Sequence, residues 1–190
     1  AGWWPVIAAP FAWYLMMLWY SGFWETGPWE NALRRRQRLP FALLLAGSIG
    51  LAAMIVIDPL PPVWTTYEAV EPALSLAGAP FLVLVYPPFI VLCTALALDA
   101  LLRPAPPARL LGDQARLRAR PWLVTASLLL LFISLSVGAA FLWLVRLVQQ
   151  GRPLSVLLPG ITTPLSVIDL VLAAALMVVT LLVGQAVVAY

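Results

Sequence analysis

At 190 residues, 63 % of them apolar and only 10 % charged, this chain is not a soluble domain, where roughly half and a quarter are usual. Several stretches exceed the roughly 18 apolar residues that mark a bilayer span, which makes it an integral membrane protein. The net charge of +3 rests on arginine alone, and with no histidine and a single cysteine, Cys93, the usual haem and metal ligands, the commonest general base and any intrachain disulfide are excluded.

The first apolar segment runs from about Trp3 to Trp24. It is too long for a signal peptide and lacks the basic start and small-residue cleavage site of one. The chain enters this run within two residues of Ala1 and is still apolar at Tyr190, the pattern expected of one domain within a longer polypeptide. "ETGPWENALRRRQR" follows as a connecting loop with Arg34, Arg35, Arg36 and Arg38, and the second segment spans about Phe41–Ile57. The loop after it, around "PPVWTTYEAVEP", is long enough to lie over the bundle. Its Trp64, Tyr67, Glu68 and Glu71 form a candidate surface for a cation or small ligand.

The third segment, about Ala79–Leu102, contains the doublet Pro87-Pro88. Proline removes a backbone donor and clashes with the preceding turn, so a kink is expected near mid-membrane, with Tyr86 and Cys93 beside the freed carbonyls. Asp99 lies one turn before Arg103, and an acid-then-base pair at that spacing satisfies both groups locally. "RPAPPARLLGDQARLRAR" then carries Arg103, Arg109, Arg116, Arg118 and Arg120. Residues 106–120 are expected to form a short interfacial helix, with Leu110, Leu111 and Leu117 toward lipid. Pro121 suits the first turn of the fourth segment, about Trp122–Leu147. The fifth covers about Leu165–Tyr190. Asp169 would stand one turn into it, near the helix dipole's positive end, at a depth similar to Arg146 in the fourth. The two are a candidate interhelical ion pair, or an anion or ligand site.

Five helices in one bundle is therefore the expected architecture, since in lipid every backbone polar group needs an internal partner. Nine of the eleven arginines fall between the first and second or the third and fourth segments, which places both stretches in the cytoplasm. The N-terminus is then outside and the C-terminus inside. Arg34, Arg35, Arg36, Arg38, Arg116, Arg118 and Arg120 read as cytoplasmic anchors on anionic headgroups. They abut a bilayer segment instead of alternating with exposed aromatics on a soluble face, which argues against nucleic acid. Trp3, Trp4, Trp24, Trp122, Trp143 and Tyr190 mark the interfaces, while Trp13 and Trp19 lie deeper with Met16 and Met17 between them. The sequence contains no phosphate-cradling glycine loop, metal-spaced cluster or nucleophile with a base, so neither a cofactor nor enzyme activity is expected of it.

Two stretches, "GDQARLRARPWLVTASLLLLFISL" and "LLVGQAVVAY", resemble the membrane-embedded N-terminal sensor regions of bacterial multi-pass histidine kinases, and "PFAWYLMMLWYSGFW" is compatible with them. In that group a final helix ending in a similar Gly-Gln-Ala run passes into cytoplasmic signalling domains. The resemblance implies a dimeric sensory domain of the bacterial inner membrane whose fifth helix reports to an output domain beyond residue 190. The phospho-accepting histidine and nucleotide boxes of such kinases would lie there too. Two other readings stand beside it: a small structural subunit of a larger membrane complex, and a transporter or channel component. Few polar residues are available to line a path for the latter.

Overall fold

The computed structural model describes residues 3–24, 32–57, 75–76, 79–104, 110–149 and 154–189. Within them the chain is almost wholly helical: α1 (Trp3–Tyr20), α2 (Ala32–Ile57), α3 (Phe81–Leu102), α4 (Leu110–Gln149) and α5 (Leu154–Ala189). Ahead of α3, β1 (Ser75–Leu76) pairs antiparallel with β2 (Ala79–Pro80) in a two-residue ladder. Among the described residues four helices are long and apolar enough to cross a membrane, over Ala32–Ile57, Leu84–Leu102, Gln114–Ala140 and Ser166–Ala189. α1, whose residues 8–20 alone are described with their side chains, is not among them.

α3 is the hub, packing against α1, α2 and α4, while α5 rests chiefly on α4. The main core joins Tyr14, Met17 and Leu18 of α1 to Leu33, Leu44 and Leu51 of α2 and to Cys93, Ala97, Ala100 and Leu101 of α3. Ala119 and Leu123 of α4 and Ala186 of α5 close it. Small residues at these seams let helix backbones approach where lipid gives no hydrophobic drive to associate. A second cluster unites Ala126 and Ile133 of α4 with Val179 of α5. Thus Ala186 is level with the start of α4 and Val179 with its middle, so α4 and α5 run antiparallel. Outward faces are aliphatic, as lipid requires, with Leu39, Leu43 and Ile57 of α2 and Leu170, Met177 and Val188 of α5 exposed. Ser48, Thr94, Thr125, Ser134, Ser136 and Thr180 each donate to the carbonyl four residues back in their own helices, whereas the buried Ser127 hydroxyl of α4 has no hydrogen-bond partner among the described residues.

Three helices start earlier than their apolar runs. α2 begins at Ala32, not Phe41, and carries its arginines on helix instead of loop. The buried residues Leu33, Gln37, Leu44, Leu51 and Ile55 form one helical seam, so packing on this face carries the helix through Pro40. α4 begins at Leu110 and reaches Gln149, about 60 Å at 1.5 Å per residue. The expected interfacial helix at 106–120 is therefore continuous with the span from Leu110 on, and Pro121 lies well inside the helix instead of in its first turn. Burial of Ala119 and Leu123 on either side of the proline supplies the packing that overrides it. α5 begins at Leu154, so Asp169 lies about four turns in, beyond the reach of the N-terminal dipole. α3 matches its expected span closely and continues through Pro87 and Pro88. Pro87 is buried at the α4 seam, where a methyl group on Gly138 would stand 3.5 Å from its Cβ.

α1 stops at Tyr20, short of Trp24, because of a left-handed residue. Gly22 has φ 84°, and the amides of Gly22 and Phe23 return to the carbonyls of Trp19 (3.2 Å) and Leu18 (3.0 Å). This is a Schellman closure, completed by burial of both Phe23 and Leu18. Gly22→Ala should lower stability by about 1–2 kcal/mol, the penalty of a Cβ in that conformation. Thermal unfolding in detergent measures it; a variant as stable as the parent would mean the turn is not constrained.

Candidate functional site

The end of the bundle where α1 and α3 finish and α2 and α4 begin holds a polar cluster. Asp99, on the last full turn of α3, is its centre. Gln37 Nε2 of α2 donates to Asp99 Oδ2 at 2.6 Å, and Arg36 Nε stands 3.0 Å from the same oxygen. The Tyr14 hydroxyl of α1 donates to Gln37 Oε1 at 2.9 Å, so three helices meet in one chain of hydrogen bonds. Its direction follows from chemistry. An ionised carboxylate only accepts, so Gln37 must present its amide nitrogen to Asp99 and its oxygen to Tyr14. Gln37 is 1 % exposed and Tyr14 fully buried, which makes these bonds costly to leave unmade.

The charge is balanced across helices. The expected Asp99–Arg103 pair is present, but at 3.9 Å and with an Arg103 side chain 71 % exposed. A pair of that kind contributes little. Arg36 is the nearer partner, and it also reaches the backbone: its Nη2 donates to the carbonyls of Asp99 (3.3 Å) and Arg103 (3.4 Å). From the other side, Arg120 of α4 donates through Nε to Leu101 O (3.0 Å) and through Nη2 to Leu102 O (2.9 Å). The last carbonyls of a helix have no partner within it and carry its negative dipole end, which cations complement. The final turn of α3 is thus gripped by one arginine from α2 and one from α4.

Both arginine-bearing stretches therefore lie at one end of the bundle. Arg36 and the half-buried Arg120 reach the end of α3 with their guanidinium groups, although Arg36, like Arg34, Arg35, Arg38 and Arg118, is exposed as a residue. Arg116 contributes its carbonyl, which accepts the Tyr20 hydroxyl of α1. Phe23, Trp24 and Phe41 stack beside the cluster, with Trp24 edge-on to both phenylalanines. Gln37 and Tyr14 were not among the residues the sequence singled out. The available signal was Gln37 falling one helical turn after Leu33, on the face that continues to Leu44.

The remaining candidates are dispersed. Arg146 is exposed in the last turn of α4, where a cation suits the dipole. The side chain of Asp169, and with it the proposed pairing to Arg146, lies outside the described residues, as do Trp64, Tyr67, Glu68 and Glu71. Cys93 is a buried free thiol. Among the described residues no group of three His, Cys, Asp or Glu side chains is placed to hold a metal ion. Chemically, the cluster can hold helices in one arrangement or release them together. No family model matches the chain, and neither a curated protein nor a solved structure is similar enough to match it.

Proposed function

We propose that the chain is a membrane-embedded sensory module of the bacterial inner membrane. Its N-terminus is outside, α1 is a fifth crossing, and α5 passes a membrane or extracytoplasmic signal to an output domain following residue 190. The observation that carries this reading is the α4–α5 pair. Both helices, at 40 and 36 residues, far exceed the roughly 20 that a bilayer needs, and the C-terminal end of α5 is level with the arginine-bearing start of α4. Basic residues collect on the cytoplasmic side, so this pairing would deliver a continuous helix there. The resemblance of the α4 and α5 sequences to kinase sensor regions points the same way. The outward apolar faces of α2 and α5 favour a second reading, a structural subunit of a larger membrane complex.

Fusions after residue 189 test the topology: green fluorescent protein should fluoresce there and alkaline phosphatase should be inactive. A chimera then tests transmission. The same residue is joined to the cytoplasmic part of a dimeric histidine kinase that drives a transcriptional reporter. Inserting one to four residues at the junction should make output rise and fall with a period of about 3.6 residues, because a rotating helix passes its phase onward. Active phosphatase, or output indifferent to the insertions, would remove the sensory reading and leave the structural one.

A further inference from the structure

The final turn of α3 links the two halves of the bundle, and the strength of that link is asymmetric. On one side α2 lies along the outside of α1 and α3, held by a seam of five buried residues with most of its aliphatic side chains outward. At its N-terminal end that seam is only Leu33 and Gln37, flanked by exposed Arg34, Arg35, Arg38 and Leu39. One turn on, Phe41 packs on Phe11 of α1 and on Phe23 and Trp24 just after it. The hold on α3 itself is polar: Gln37 links Tyr14 to Asp99, and Arg36 reaches Asp99 and the α3 carbonyls. On the other side, Arg120 ties the same turn to α4, which carries α5.

Resting on the sensory reading, we infer that the Tyr14–Gln37–Asp99–Arg36 chain is a latch. Closed, it fixes α2 against α1 and α3; open, it frees the last turn of α3 to shift, and Arg120 passes that shift to α4 and α5. Its composition suits two states. The inner bond, Tyr14 to Gln37, is dry and is either fully made or expensive to lose. The outer pair is at the water edge, with Arg36 and Asp99 side chains 35 % and 30 % exposed, so both ions rehydrate when α2 moves away. A packed interface with one polar closure has two discrete arrangements and few between them. The route from α2 through α3 to α4 is a contiguous set of contacts, and coupling along it is what the experiment measures.

Two readouts separate the latch from the signalling role. The first is hydrogen–deuterium exchange in lipid nanodiscs. Gln37→Leu, and the paired change Tyr14→Phe with Gln37→Leu, should speed amide exchange over residues 32–40 by about tenfold, the scale of one or two lost hydrogen bonds in a local opening equilibrium. The paired variant replaces both partners with apolar groups of similar shape, so the fold is retained. The second readout is the kinase chimera. Gln37→Leu, Arg36→Gln and Arg120→Gln should each displace its unstimulated output severalfold, Gln37→Leu and Arg36→Gln in the same direction. Unchanged exchange over 32–40 in both Gln37 variants overturns the latch, whatever the reporter does. Faster exchange, with output unmoved in a chimera that still responds to junction length, overturns the coupling role and leaves the sensory reading intact. A chimera deaf to junction length overturns the sensory reading and the coupling role together.

Discussion

Asp99→Ala should lower the stability of the chain by about 2–3 kcal/mol, the usual range for hydrogen bonds to a charged group, whereas Arg103→Ala should stay within about 0.5 kcal/mol. The asymmetry follows from which partners lose something. Without the carboxylate, Gln37 Nε2 loses a 2.6 Å charged acceptor while Gln37 itself is 1 % exposed, so its burial is no longer offset by that bond. Arg36 loses its 3.0 Å contact but keeps the α3 carbonyls and some solvent, so its share is smaller. Arg103, at 3.9 Å and largely in solvent, loses almost nothing. Asp99→Asn retains an oxygen for Gln37 and removes only the charge, which places it between, near about 1 kcal/mol. Chemical or thermal unfolding in a fixed detergent, monitored by tryptophan fluorescence, ranks the three. If Arg103→Ala matched Asp99→Ala, the local pair on α3 would be the carrier and the cross-helix cluster incidental.

That ranking also marks where sequence reasoning stopped. Asp99 was legible as a site residue because it is an acid in an otherwise apolar span, and such residues need a partner. Its true partners were not, because proximity along the chain favoured Arg103, and the run Arg34–Arg38 reads as a solvated loop. Helix there depends on contacts across sequence separations of 23 and 62 residues, which no local window contains. The same reason explains the early start of α4. Pro121 has the chemistry of a first-turn residue, yet the helix passes through it because Ala119 and Leu123 are buried on either side and Arg120 is tied to α3. The fifth apolar segment is expected from about Leu165, yet its helix begins at Leu154. By contrast α3 lies within two residues of its expected bounds, since Pro80 and Pro104 bracket a run that is apolar up to Asp99. Composition therefore revealed the membrane spans, while the extensions of α2 and α4 beyond them depend on tertiary contacts.

The arginines illustrate a second limit. Charge counting treats Arg36, Arg38, Arg118 and Arg120 alike, and their clustering at one end of the bundle agrees with that treatment. What separates them is helical phase. Arg36 and Arg120 face the end of α3 and donate to its last carbonyls, and Arg38 and Arg118 are exposed. An arginine that caps a neighbouring helix is a joint as well as an anchor. Lysine at position 120 would hold the charge but not the fork that reaches two successive carbonyls.

Ala97→Leu should destabilise the chain by about 1–3 kcal/mol and, more tellingly, uncouple the polar cluster. Ala97 is fully buried on α3, in the same cluster as Tyr14, Met17 and Leu18 of α1 and Ala119 and Leu123 of α4. Ala97 faces packed neighbours and not the exposed side of α3 that carries Leu92, so the surrounding helices must give way to an isobutyl group there. Any such displacement acts on a chain of bonds that tolerates little. In the parent, Tyr14→Phe and Gln37→Leu together should cost less than the sum of each alone, because each single change strands the other's polar atom. In the Ala97→Leu background that interaction energy should fall toward zero, since Tyr14 and Gln37 no longer meet. Leu181→Ala, on the outward face of α5, supplies the control: it should change stability by less than about 0.5 kcal/mol and leave the interaction energy at its parental value. An undiminished interaction energy in Ala97→Leu would mean that α1, α2 and α3 accommodate the bulk without moving at their shared end. The close approach of small residues at this seam would then not be what holds Tyr14, Gln37 and Asp99 in register.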